Sequence, residues 1–118
     1  KACTWIKIEF EKLLESDVQH VIKVVGSDKV RVLVLRQVQI TAKQSKKIMK
    51  AVAQKPNMEY FAFRDNPLGL KAATSLFSAA NHGKFKELDL RGTKLGDREA
   101  ALLADFLVAN KELETLKI

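Results

Sequence analysis

A period of 27 or 28 residues constrains this chain more than any other feature. Five segments, 3–8, 30–35, 58–63, 85–90 and 113–118, share one pattern, with apolar residues at their first, fourth and sixth places. The places are Cys3-Ile6-Ile8, Val30-Leu33-Leu35, Met58-Phe61-Phe63, Phe85-Leu88-Leu90 and Leu113-Leu116-Ile118. Alternation of this kind is what a half-buried β-strand needs. An apolar residue recurs at the eleventh place, as Leu13, Ile40, Leu68 and Leu95. Further on the spacing becomes helical, through Val18-Val21-Ile22-Val25, Ser45-Ile48-Met49-Val52, Ala73-Leu76-Phe77-Ala80 and Ala100-Leu103-Ala104-Leu107. These offsets put one apolar or small stripe on each helix. The unit is therefore strand, turn, helix and return loop, with helices predicted over 14–25, 42–54, 70–81 and 97–109. Gly26, Gly83 and Lys55-Pro56 fall where helix ends are expected.

The stretch from Phe85 to Leu113, the Leu68-Gly69 and Leu95-Gly96-Asp97 turns, and Asn66 at the ninth place of the third unit resemble leucine-rich repeats of the ribonuclease-inhibitor type. The resemblance is stronger from residue 58 onward. It implies an α/β fold, a right-handed leucine-rich-repeat solenoid with a parallel sheet on the concave side and helices on the convex side. It also implies that the Asn66 side chain bonds backbone groups of its loop. Glu11, Val38 and Thr93 stand at the equivalent places, so a continuous asparagine ladder is not expected. The chain is then a single domain, 1–118, of four full repeats plus a final strand. With a strand at each end and no polar cap repeat, it is expected to be a fragment of a longer array, to meet missing flanking sequence or to associate end to end.

No catalytic constellation is present. His20 and His82 fall in different units, and neither has neighbours at metal-ligand spacing. The scattered glycines form no phosphate-binding loop, and no nucleophile-elbow spacing occurs. The expectation is a non-enzyme with no cofactor and no metal. The single cysteine, Cys3, is expected to be a small buried apolar residue. One cysteine, with no signal segment or long apolar run, points to an intracellular, cytoplasmic protein without a transmembrane span.

Family members bind other proteins, as innate-immune receptors, GTPase-activating proteins for Ran, the ribonuclease inhibitor and actin-regulatory scaffolds do. The resemblance thus implies a protein-protein interaction module working through the concave sheet face, within a larger scaffold or receptor. Strand alternation puts Trp5, Val32 and Tyr60 in one outward row and Arg36, Arg64 and Arg91 in another. These six are the candidate partner-binding residues. Trp5 fits equally well as cover for the N-terminal core, and the arginines fit pairing with local acids such as Asp65 and Asp89. A regulatory or autoinhibitory segment of a signalling protein is the alternative function. A basic surface for nucleic acid or membrane is a further one, prompted by the net charge of +7. That charge is uneven: residues 1–60 hold 12 Lys/Arg against 6 Asp/Glu, and residues 61–118 hold 9 against 8. The partner is therefore expected to be a protein, acidic if the basic half meets it. Lys43, Lys46, Lys47 and Lys50 form a basic face on the second helix, open to an acidic protein or membrane or simply solvated.

Overall fold

The computed structural model describes residues 4–27, 29–54, 58–78 and 85–118. Five strands alternate with four helices: β1 (Thr4–Glu9), α1 (Glu15–Val25), β2 (Val30–Arg36), α2 (Ala42–Ala53), β3 (Tyr60–Arg64), α3 (Gly69–Ser78), β4 (Glu87–Asp89), α4 (Asp97–Ala109) and β5 (Thr115–Lys117). The strands form one parallel sheet in the order β1-β2-β3-β4-β5. Each is joined to the next through a helix, as parallel strands require. Successive helices pack on one another, α1 on α2, α2 on α3 and α3 on α4.

The strands form because their apolar and β-branched residues alternate. Leu33, Leu35, Phe61, Phe63 and Leu88 are fully buried between sheet and helices. The aromatic centre of this layer is built by Phe61 against Phe63 and Phe85, and by Phe106 against Phe77 and Phe85, with ring centroids 5.3–6.4 Å apart. The helix stripes fill the other side, with Val18, Val25, Ile48, Met49, Val52, Ala73 and Leu76 all buried.

Three helix starts use two versions of one device. Thr41 and Gln44 form a full reciprocal box: the Thr41 hydroxyl accepts from the Gln44 N–H at 3.1 Å, and Gln44 Oε1 accepts from the Thr41 N–H at 2.9 Å. Leu14 and Gly96 have no side-chain acceptor, so only the return half forms. Asp17 accepts from the Leu14 N–H at 2.8 Å, and Glu99 from the Gly96 N–H at 3.1 Å. At the other end of α1, Gly26 has φ −65°, so this helix does not stop through a left-handed glycine. The expected helix ends at Lys55-Pro56 and Gly83 lie outside the described residues, as do Cys3 and His82.

The structure corrects the expectation of a leucine-rich-repeat solenoid. The molecule measures 33 × 32 × 19 Å with a radius of gyration of 12.9 Å. A compact domain of about 100 residues has a radius near 13 Å, so a single globule accounts for the whole chain. It is a compact α/β domain of alternating β-α units, as broad as it is long, and not a curved horseshoe. The concave surface that the interaction-module assignment required is lost with the solenoid.

The stripe of α4 differs from those before it. Ala100, Ala104 and Leu107 stand at the same offsets as residues that are buried in the earlier helices, such as Val18, Ser45 and Ala73. All three are exposed. The offset marks the side facing a following helix, and no described helix follows α4.

Candidate functional site

Strand pairing places the outward residues in register. Trp5 pairs with Val32, Val32 with Tyr60, Tyr60 with Glu87, and Glu87 with Thr115. Trp5 is 63% exposed, whereas Val32 and Tyr60 are half-buried. The next outward row runs Lys7, Val34, Ala62, Asp89, Lys117. Ala62 and Asp89 in that row are fully buried although their strand positions face outward.

Asp89 is buried because arginines close over it. Arg91 makes a bidentate contact, Nε to Oδ1 at 2.9 Å and Nη2 to Oδ2 at 2.7 Å. The Arg91 backbone N–H donates to Oδ1 as well, at 3.2 Å. Arg64 Nε stands 3.7 Å from Oδ2, close enough for charge attraction and too far for a hydrogen bond. Burial alone would raise the Asp89 pKa. The Arg91 bonds and the Arg64 charge outweigh it and hold the carboxyl below its usual range, and the same contact raises Arg91. Tyr60 next to this group is shifted upward, first by burial and then by the charges of Asp89 and Glu87, so its hydroxyl stays neutral.

Arg36 is matched in the same way. It lies 3.6 Å from Glu9 and 3.2 Å from Asp65, and its guanidinium sits 5.1 Å from the centroid of the Phe10 ring. The arginine row is thus laced with acids, and its charges largely cancel. Sequence reasoning found the arginines and two of their acids. It missed Phe10, which is 60% exposed with φ 59°. Its only signal was an aromatic residue just past a strand, where Gln37 and Asp65 also take positive φ.

The helical side carries the uncancelled charge. Lys43, Lys46 and Lys50 are exposed on α2, and Lys47 is half-buried. Lys47 lies 3.5 Å from Glu15 of α1. Gln19 and Gln44 also donate to Glu15, and these bonds, with the Lys47 charge, lower its pKa. Among the described residues no carboxylate is paired with Lys43, Lys46 or Lys50.

His20 is exposed on α1, at the rim of a hollow of about 320 Å³ lined by Ile6, Ile8, Leu13, Val21 and Val24. Among the described residues, no three or more His, Cys, Asp or Glu side chains group so as to hold a metal ion. No helix among them is long and apolar enough to cross a membrane.

No family model, no curated protein and no solved structure matches this chain. The assignment to the ribonuclease-inhibitor type of leucine-rich repeat therefore finds no support beyond the residues that prompted it.

Proposed function

We propose that this domain is a non-enzymatic binding unit that holds an acidic segment of a partner protein on the outer face of α2. The observation that carries this is the lysine stripe. Lys43, Lys46, Lys47 and Lys50 recur at three- and four-residue spacing, so they share one side of the helix. Only Lys47 has a carboxylate partner among the described residues. The sheet face, by contrast, has matched its arginines internally and offers little net charge to a ligand.

The chemistry of the stripe favours an acidic polypeptide over other polyanions. It contains no arginine for bidentate phosphate contacts, and α2 exposes no aromatic residue on which a base could stack. None of the exposed large apolar residues lies on α2, so a bilayer would find no anchor there. Exposed ion pairs are individually weak, and the contact should be fast and salt-sensitive.

The test is binding of a Glu-rich peptide, followed by fluorescence anisotropy as salt is raised. The expected result is affinity that falls with salt, is lost in the triple variant Lys43→Glu, Lys46→Glu, Lys50→Glu, and is absent for a neutral peptide of equal length. If the triple variant, folded by circular dichroism, binds the acidic peptide as well as the parent, the proposal is wrong. Tighter binding to an oligonucleotide or to anionic vesicles than to the peptide also overturns it.

A further inference from the structure

Two large apolar residues stand where the local backbone favours others. Phe10 holds φ 59°, and its counterparts in the next three units, Gln37, Asp65 and Gly92, are left-handed too, at 49°, 58° and 75°. Glycine, asparagine and aspartate adopt this conformation readily, and a bulky aromatic residue does not. Leu14 is the N-cap of α1 and makes no side-chain cap bond. Thr41, at the equivalent place, caps α2 with its hydroxyl, and leucine is among the poorest residues for the position. Burial does not offset either choice, since Phe10 is 60% exposed and Leu14 57%. Residues that break a local rule without a gain inside the fold mark functional surfaces.

The two residues line neighbouring hollows that join. Phe10 shares a hollow of about 560 Å³ with Gln37, Val38 and Asp65. Leu14 shares one of about 350 Å³ with Ile40, Thr41 and Gln44. Lys12 and Gln39 line both, so the hollows form one trough. Its walls come from the turns of successive units, bridged where Lys12 pairs with Gln39, so it lies between units and not at an edge of the sheet. The Phe10 ring leans toward the second unit, with the Arg36 guanidinium 5.1 Å from its centroid. Gln37 and Gln39 are exposed along the trough, and their amides both donate and accept, as the main chain of an extended peptide requires. At its other end the trough opens on α2: Glu15 lines it, and Lys47 lies 3.5 Å from Glu15.

We infer, on the reading that α2 holds an acidic segment, that this trough receives apolar side chains of that same segment. The occupant is an extended peptide of a partner protein. One apolar residue lies against Phe10, another enters the Leu14–Ile40 hollow, and acidic residues follow over the lysines of α2. Charge fixes this order along the surface. The lysine stripe lies on the α2 side, whereas Glu11 and Asp65 line the Phe10 end and would repel an acidic residue there. The two parts of the contact answer salt differently. Exposed ion pairs weaken as salt is raised, and the burial of apolar surface does not depend on charge. Phe10 and Leu14 are the anchors of the site, which accounts for their presence at places that suit neither.

The experiment compares labelled peptides by fluorescence anisotropy: a Glu-rich run alone, and the same run with a Leu and a Phe added at its N-terminal or its C-terminal end. The expected result is that one of the two longer peptides binds about tenfold tighter or more, as burial of an apolar side chain gives, and that this gain survives high salt. Phe10→Asn and Leu14→Ser should each remove most of the gain. Both variants should be as stable as wild type or more so, because Asn accepts a left-handed φ and Ser caps a helix. A merely structural role predicts the reverse, lost stability with unchanged affinity. Equal affinity of the long and short peptides overturns the inference and leaves the α2 reading intact, whereas no binding of any peptide overturns both. A gain that persists in both folded variants places the apolar residues elsewhere and overturns the inference. Self-association of the wild type that Phe10→Asn abolishes assigns the trough to a second copy, and overturns it as well.

Discussion

The carboxylate of Asp89 is sealed from solvent under the guanidinium of Arg91, which contacts both of its oxygens, at 2.7 and 2.9 Å. Its folded pKa is held below the usual carboxylate value of about 3.9, because the Arg91 bonds and the Arg64 charge outweigh the effect of burial. A group with a depressed folded pKa contributes stability above its unfolded value and loses it as pH falls through the folded one. The domain should therefore hold this contribution at neutral pH and lose it in acid, below the ordinary Asp range. In Asp89→Asn the acid-side slope should be shallower and the neutral stability lower, as measured by urea unfolding at a series of pH values. An unchanged slope would mean that the pair does not couple protonation to folding.

Gly92 and Gly69 both have positive φ, at 75° and 77°, but only one is crowded. A Cβ at position 92 would collide with the Asp65 side chain and touch its backbone at 3.0 Å, whereas one at position 69 would meet nothing within 4 Å. Gly69→Ala should cost only the conformational penalty, about 1–2 kcal/mol. Gly92→Ala should cost more and should disturb the Asp65–Arg36 contact. Paired denaturation curves decide this. Equal losses at the two sites would show that the collision relaxes freely.

Asn66 ties two strands together from a buried position. Its Oδ1 accepts from the Val38 N–H at 2.8 Å, and its Nδ2 donates to Leu35 O at 3.2 Å and Arg64 O at 2.8 Å. Asn66→Ala leaves the buried Val38 N–H without its acceptor, at about 1–3 kcal/mol for a buried group left unsatisfied, while Arg64 O keeps the Gln37 N–H at 2.9 Å. Asn66→Asp keeps the acceptor but sets a buried carboxylate oxygen against the Leu35 and Arg64 carbonyls, so at neutral pH it should cost at least as much as Ala. Hydrogen exchange of the Val38 amide is the direct readout. Protection that survives in the Ala variant would show that water replaces the side chain.

Much of the strand layout is legible in the sequence because it rests on one repeated rule. Apolar places such as Leu33, Phe61 and Leu88 recur at fixed steps, and the same steps set which residues sit side by side in the sheet. Two things escape this logic. The offsets mark Ala100, Ala104 and Leu107 as one stripe with their counterparts in earlier helices, but burial depends on what lies next door. Overall shape escapes it as well. A period fixes the neighbour relation between units but not whether they curve into a horseshoe, and here the extents are those of a compact body. At the candidate surfaces, side-chain type revealed the arginines and lysines. Which of them are neutralised depends on contacts such as Arg91 with Asp89, two residues apart and on one side of the sheet, and Lys47 with Glu15, 32 residues apart.

The order of the strands follows the order of the chain, and each strand touches only its immediate predecessor and successor. Damage is for that reason unequal in its reach. A lesion in β5 can release one strand and leave the aromatic centre around Phe61 and Phe85 intact. A lesion in β3 separates two halves that have no other strand in common. The middle of the chain is thus where tolerance to substitution should be lowest, and the outermost units are where the protein can change without losing its fold.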